Sequence, residues 1–127
     1  MQDINFTWPQ GEDLFLNLRY KEGPASKSAV PVDLRNGYSA SMGIAVPGAA
    51  SPTVTVGTDT GEIVLLSGQN EPNIRIRLDR SLTLAPGGPF VAGGPFVYDL
   101  FIRNANDDQV KVMEGTINVK RSVTQWA

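Results

Sequence analysis

Apolar side chains recur at every second position along much of this chain, and no long segment carries the 3.6-residue spacing of a helix. Asn73-Ile74-Arg75-Ile76-Arg77-Leu78 is the clearest case. Ile74, Ile76 and Leu78 share one face, and Arg75 and Arg77 share the other. A period of two is that of a pleated strand with one face buried. Leu14 to Tyr20 behaves alike, with Leu14, Leu16, Leu18 and Tyr20 opposed to Phe15, Asn17 and Arg19. Lys111 to Lys120 alternates too, and Gly115 within it is expected to mark a bulge.

The same reasoning predicts strands over Ile4–Trp8, Ala29–Asp33, Tyr38–Val46, Thr53–Val56, Ile63–Leu66 and Phe96–Arg103, and a short helix near Arg80–Ala85. Turn formers separate them: Pro9-Gln10-Gly11, Glu22-Gly23-Pro24, Arg35-Asn36-Gly37, Asp59-Thr60-Gly61 and 104–108. Asn36-Gly37 offers the positive φ that a tight hairpin turn needs. Eight or nine short strands in 127 residues, 41% of them hydrophobic, predict one all-β domain over 1–127. One-sided alternation favours antiparallel pairing. The expected architecture is a single antiparallel β-sandwich, immunoglobulin-like or jelly-roll-like.

The chain has no Cys and no His. Disulfides, thiolate nucleophiles, Ser-His-Asp triads and zinc sites built on His or Cys are therefore excluded. Eleven basic against thirteen acidic side chains give a net charge of −2. That balance lacks the basic footprint of nucleic-acid binding. The paired carboxylates Asp59 and Glu62, Asp107 and Asp108, and Glu12 and Asp13 fall at turns, where turn preference accounts for them. Asn104 to Asp108 has oxygen ligands but lacks the spacing of a calcium loop, and a hairpin loop is expected there. The reading is a non-enzyme with no catalytic residue, cofactor or metal. Met1-Gln2-Asp3-Ile4-Asn5-Phe6 has neither the basic nor the apolar part of a signal peptide. No apolar run approaches the roughly 18 residues of a membrane helix. Synthesis in a cytoplasm, without a membrane partner, is expected, and the lack of Cys fits a reducing compartment.

A local duplication stands apart. Gly87-Gly88-Pro89-Phe90-Val91-Ala92 is followed at once by Gly93-Gly94-Pro95-Phe96-Val97-Tyr98. The second copy runs into a strand, while the first is too rich in Gly and Pro for a central one. Residues 86–95 are expected to form a projecting loop or arm tipped by Phe90. Two readings stand: a flexible connection, or an arm whose Pro89, Phe90 and Val91 anchor in a neighbouring subunit. Arg75 and Arg77, with Arg80 nearby, form a basic stripe suited to a solvated face or a partner's acidic group. Trp8 and Trp126 are further interface candidates. Trp126, at the chain end, either docks in the sheet or packs on a partner.

The C-terminal third runs Val97-Tyr98-Asp99-Leu100-Phe101-Ile102-Arg103, a polar hairpin, Val110 to Val119 with Gly115-Thr116-Ile117-Asn118-Val119, and Val123-Thr124. This order resembles small β-sandwich structural proteins of tailed-bacteriophage virions. Gln10-Gly11-Glu12-Asp13-Leu14-Phe15-Leu16 and Val32-Asp33-Leu34-Arg35-Asn36-Gly37-Tyr38-Ser39-Ala40-Ser41-Met42 resemble the opening and middle of the same pattern. The duplicated Gly-Gly-Pro-Phe stretch departs from it. The resemblance implies a virion component of the tail, baseplate, fibre attachment or neck, assembled in the host cytoplasm through contacts with other virion proteins. It also implies a homo-oligomer, a trimer by preference, and no catalytic residues. The alternatives are a capsid decoration protein and a carbohydrate-binding receptor-recognition module.

If the 74–78 strand is central, Ile76→Ala costs about 2–5 kcal/mol. Urea unfolding checks this, and a loss below about 0.5 kcal/mol, the surface-site range, places Ile76 on the outer face instead.

Overall fold

Each alternating segment forms a strand, and the strands pack as a two-layered all-β sandwich. The structure is a computed structural model that describes residues 2–22, 30–69, 72–84 and 87–121. Its strands are β1 (Gln2–Asp3), β2 (Phe6–Pro9), β3 (Leu14–Leu18), β4 (Lys21–Glu22), β5 (Val30–Pro31), β6 (Ser39–Ala45), β7 (Val54–Gly57), β8 (Ile63–Leu65), β9 (Ile74–Leu78), β10 (Gly94–Arg103) and β11 (Gln109–Lys120). A 3-10 turn covers Arg80–Thr83, where a short helix is expected, and Asp79 caps its start through Ser81 N–H.

The wider sheet runs β11-β10-β6-β7, with β1 and β2 both lying along the far side of β11. The narrower sheet runs β3-β9-β8, and β4 and β5 form a small separate hairpin. This is the immunoglobulin-type arrangement of a B-E-D sheet facing a G-F-C sheet with one strand added. It differs from the two Greek keys of a jelly roll. Among the described strands all pairs are antiparallel except two: β1 and β2 each run parallel to β11. The departure from the expected antiparallel pairing follows from chain order, since the first strand joins the sheet beside the last.

The inner faces carry the periodic residues. Phe96, Tyr98, Leu100 and Ile102 of β10, Met113, Ile117 and Val119 of β11, and Ala40, Met42 and Ile44 of β6 face Leu16, Ile63, Ile74, Ile76 and Leu78 of the other sheet in one cluster. β9 lies between β3 and β8, so Ile74, Ile76 and Leu78 are central, while Arg75 and Arg77 face out, as the alternation predicts. Asn73, fully buried, stitches three segments together. Its amide donates to the Tyr20 and Val32 carbonyls and its Oδ1 accepts from Tyr20 N–H. Among the described residues no buried side-chain nitrogen or oxygen lacks a partner.

Three further expectations change. Gly115 is not the bulge: the register of β10 on β11 shifts between Leu100 and Phe101, leaving Val112 as the extra residue. Gly115 serves a close approach instead, because a Cβ there would lie 2.1 Å from the Ile4 carbonyl oxygen. Asn36-Gly37 is not a hairpin turn. It sits between β5 and β6, which do not pair, and only Gly37 has positive φ. The described non-glycine with positive φ is Asp107, in the β10–β11 hairpin that Asn104 closes by accepting from Asn106 and Asp108 N–H.

The third change is the largest. Gly87 to Ala92 does not project. Phe90 is 1% exposed, with its ring centroid 4.5 Å from that of Phe96 and 6.1 Å from that of Trp8. Its N–H donates to the Leu82 carbonyl. Gln10, also buried, donates to the carbonyls of Thr83 and Val91, tying the loop to the 3-10 turn. Gly88 permits this, since a Cβ there would sit 2.5 Å from the Leu84 carbonyl oxygen. The first repeat copy is therefore a plug across the end of the sandwich. Burying a large ring within the chain's own core is favoured over holding it in water.

Phe90→Ala is thus expected to act as a core truncation, lowering stability by about 3–5 kcal/mol. Urea unfolding of the isolated chain measures this directly. A loss near zero returns Phe90 to a surface role.

Candidate functional site

The sequence-derived interface residues do not form one exposed patch. Trp8 is fully buried, and its indole N–H donates to the Glu12 carbonyl at 2.7 Å. Phe90 is buried beside it. Both belong to the core and are not exposed anchors. Pro89 is exposed and Val91 half-buried. Trp126 and Val123-Thr124 lie outside the described residues, as do 23–29.

The surfaces open to a partner are the outer faces of the two sheets. On the wider sheet, β6 turns Ser39, Ser41, Gly43 and Ala45 outward, all of them small. The 46–53 segment folds over the end of this line, with Pro52 Cβ 3.4 Å from where a Gly43 Cβ would stand. The result is an open trough of about 640 Å³, with Val97, Asp99, Glu114, Asp3 and Pro52 among its lining residues.

Register sets its charge. Asp3 is opposite Glu114, Glu114 is opposite Asp99, and Asp99 is opposite Gly43. Three carboxylates thus stand side by side across three strands, about 5 Å apart at the backbone. Lys111 Nζ reaches Glu114 at 3.5 Å. Asp3 and Asp99 make no ion pair with a described residue.

Beside the trough, β1 and β2 are joined by a kink at Ile4 and Asn5. The Ile4 N–H donates to the Glu114 backbone carbonyl, and Asn5 Oδ1 accepts from both the N–H and the hydroxyl of Thr116. Tyr98 donates its hydroxyl to the Ile4 carbonyl at 2.6 Å. Burial, with the Asp3 charge adding to it, pushes the Tyr98 hydroxyl up to about 12.

A second hollow of about 410 Å³ lies further along the same face. Ser39, Ser41, Thr55, Thr58 and Phe101 line it, with Gln109 at its rim. Arg103 there is engaged, donating to Gln109 and lying 3.4 Å from Asp107.

The outer face of the narrower sheet has the opposite character. Asn17, Arg75 and Val64 form one row across β3, β9 and β8, and Phe15 is opposite Arg77. Phe15 is 63% exposed and Val64 48%. The Arg77 guanidinium lies 6.0 Å from the Phe15 ring centroid and pairs with Asp13 and Asp79 at 3.3 Å. Asp13 also accepts from Arg80 N–H, and the Ser81 hydroxyl and N–H hold the Asp79 carboxyl below its ordinary value. Arg75 makes no ion pair with a described residue.

The turn carboxylates are engaged locally. Burial pushes Glu62 up, but hydrogen bonds from Thr60 and from backbone N–H groups outweigh it and leave it lowered. The Arg35 side chain and N–H hold exposed Asp33 at about 2. Among the described residues no three Asp or Glu side chains are grouped to hold a metal ion.

Sequence reading found the basic stripe but missed the acidic row. Its members, residues 3, 99 and 114, are brought together by register alone. The small residues on β6 were legible as alternate positions of one strand. No protein-family model matches the chain, and no curated protein matches it.

The Tyr98–Ile4 contact has a defined pH signature. The folded value lies above the ordinary 10.0, so its contribution is complete below about pH 10 and is lost as pH rises towards 12. Tyr98→Phe should lose about 0.5–1.5 kcal/mol at neutral pH. The gap between the two proteins should narrow between about pH 10 and 12. Urea unfolding across that range checks both parts.

Proposed function

We propose that this chain is a structural protein of a tailed-bacteriophage virion, placed at the tail, baseplate or neck and acting only through protein–protein contacts. One observation carries the reading beyond the short sequence likenesses. The segment from Tyr38 and the segment Tyr98-Asp99-Leu100 come from different parts of the chain, yet they pair directly as β6 and β10, and the segment around Gly115 pairs next to them as β11. Three of the likenesses therefore fall on adjacent strands of one sheet, while the Gln10–Leu16 likeness falls on β3 of the other sheet.

The mechanism is assembly. Rigid sheets hold two outer faces of distinct chemistry, and a modest contact repeated by symmetry becomes a strong one. A homo-oligomer within the particle is part of the proposal. A second reading, a carbohydrate-recognising module, is favoured by Phe101 lining the second hollow together with Gln109 and several hydroxyl groups.

Antibody against the purified chain is expected to mark intact tailed particles at one site on the tail, baseplate or neck in electron micrographs. Marking spread over the capsid identifies a decoration protein instead. Absence from particles, together with binding of the isolated chain on a glycan array, transfers the assignment to the second reading.

A further inference from the structure

We propose that copies of this chain stack face to back: the outer face of the three-stranded sheet of one copy docks in the trough on the six-stranded face of the next. The inference deepens the assembly reading and rests on it for its biological setting, but its physical argument is separate.

The first face presents Val64, exposed and directly opposite Arg75, and Phe15, exposed in the neighbouring row opposite Arg77. Arg77 is occupied by Asp13 and Asp79, which leaves Arg75 as the cation without a described ion-pair partner at the centre of this face. Exposed apolar side chains around a cation suit a surface that is covered in use.

The trough has the complementary features. Gly43 and Ala45 line it with small residues, and Val97 and Pro52 add apolar surface. Asp3, Glu114 and Asp99 stand in adjacent register positions. Like charges placed directly opposite on neighbouring strands are destabilising. Lys111 offsets one of them. An arriving guanidinium offsets the others, and Arg75 is a cation this chain itself supplies.

The two faces lie on opposite sides of the sandwich. The contact is therefore heterologous, each copy using one face as donor and the other as acceptor. Such a contact does not stop at two copies; it continues as a stack or closes as a many-membered ring.

The test is light scattering with size-exclusion chromatography on the whole chain. At about 0.02 M salt the mass should rise past two protomers with concentration, and at about 0.5 M, where screening is short-ranged, it should fall to one. Arg75→Glu alone and Asp99→Lys/Glu114→Lys alone should each stay monomeric. Mixed, the unreversed faces still match and the two reversed faces match each other, so growth past two protomers should return. Thermal melting by circular dichroism establishes that the variants fold, and the milder Arg75→Ala and Asp99→Asn should weaken stacking in the same direction. A wild-type chain that stays monomeric, one that stops at two copies, or a mixture that stays monomeric overturns the inference. A monomeric chain that still labels particles defeats the stacking and leaves the virion assignment standing. A stacking chain absent from particles does the reverse.

Discussion

The order of the sandwich depends on one aromatic contact, that of Phe90 with Trp8 and Phe96. The two sheets differ in width. β3, β9 and β8 cannot cover all of a face built from β2, β11, β10, β6 and β7. Trp8 on β2 and Phe96 near the start of β10 turn inward, and a connection carrying one large apolar ring packs against both. The duplicated Gly-Gly-Pro-Phe stretch supplies it, with Phe96 on the strand and Phe90 laid against it at 4.5 Å. The glycines that make the segment look flexible let it pack without strain or collision. Gly88 lies against three carbonyl oxygens that a Cβ would strike.

A second close approach fixes the N-terminal strand. β1 and β2 keep a single register along β11, from Gln2 opposite Met113 to Pro9 opposite Lys120, yet they are separate elements because the chain kinks at Ile4 and Asn5. The Ile4 carbonyl turns towards Gly115 and is met by the Tyr98 hydroxyl. Without a side chain at 115 there is room for it, and with Tyr98 opposite there is a donor for it. The carbonyl is satisfied inside the fold, as buried polar groups must be. The same kink lets Asn5 bond Thr116 and brings Asp3 beside Glu114. The acidic row is thus a consequence of how the edge strand is held.

These two places show what the sequence made legible and what it did not. Strands with one-sided alternation were readable because burial alone decides them, and 74–78 emerged with its faces as expected. The plug was misread because Gly and Pro content reports backbone freedom, not where a neighbouring Phe goes. Phe90 has no periodic partners nearby; its partners are 82 residues upstream, in Trp8, and six residues downstream, in Phe96. Gly115 was readable as special but not for the right reason, since a bulge and a close approach ask for the same residue. The acidic row needed the register of three strands, and a parallel pairing of first strand with last has no local signature. Arg75 and Arg77 alternate alike in sequence, yet only the fold separates them, by placing Asp13 and Asp79 around one and not the other.

That separation is what gives the molecule a direction. A sandwich whose outer faces were both neutral and polar would have no preferred way to meet its copies. Here the core fixes which residues point outward, and register then sorts their charge: carboxylates on the broad face, a guanidinium among apolar groups on the narrow one. Electrostatic complementarity of this kind sets orientation and encounter and makes the contact salt-dependent. Apolar area such as Phe15 and Val64 adds to the affinity, and repetition along an assembly multiplies it. A single pair of faces is then weak, and an array of them is not. A chain of this construction adds copies in one direction, since each docked copy presents the next free face.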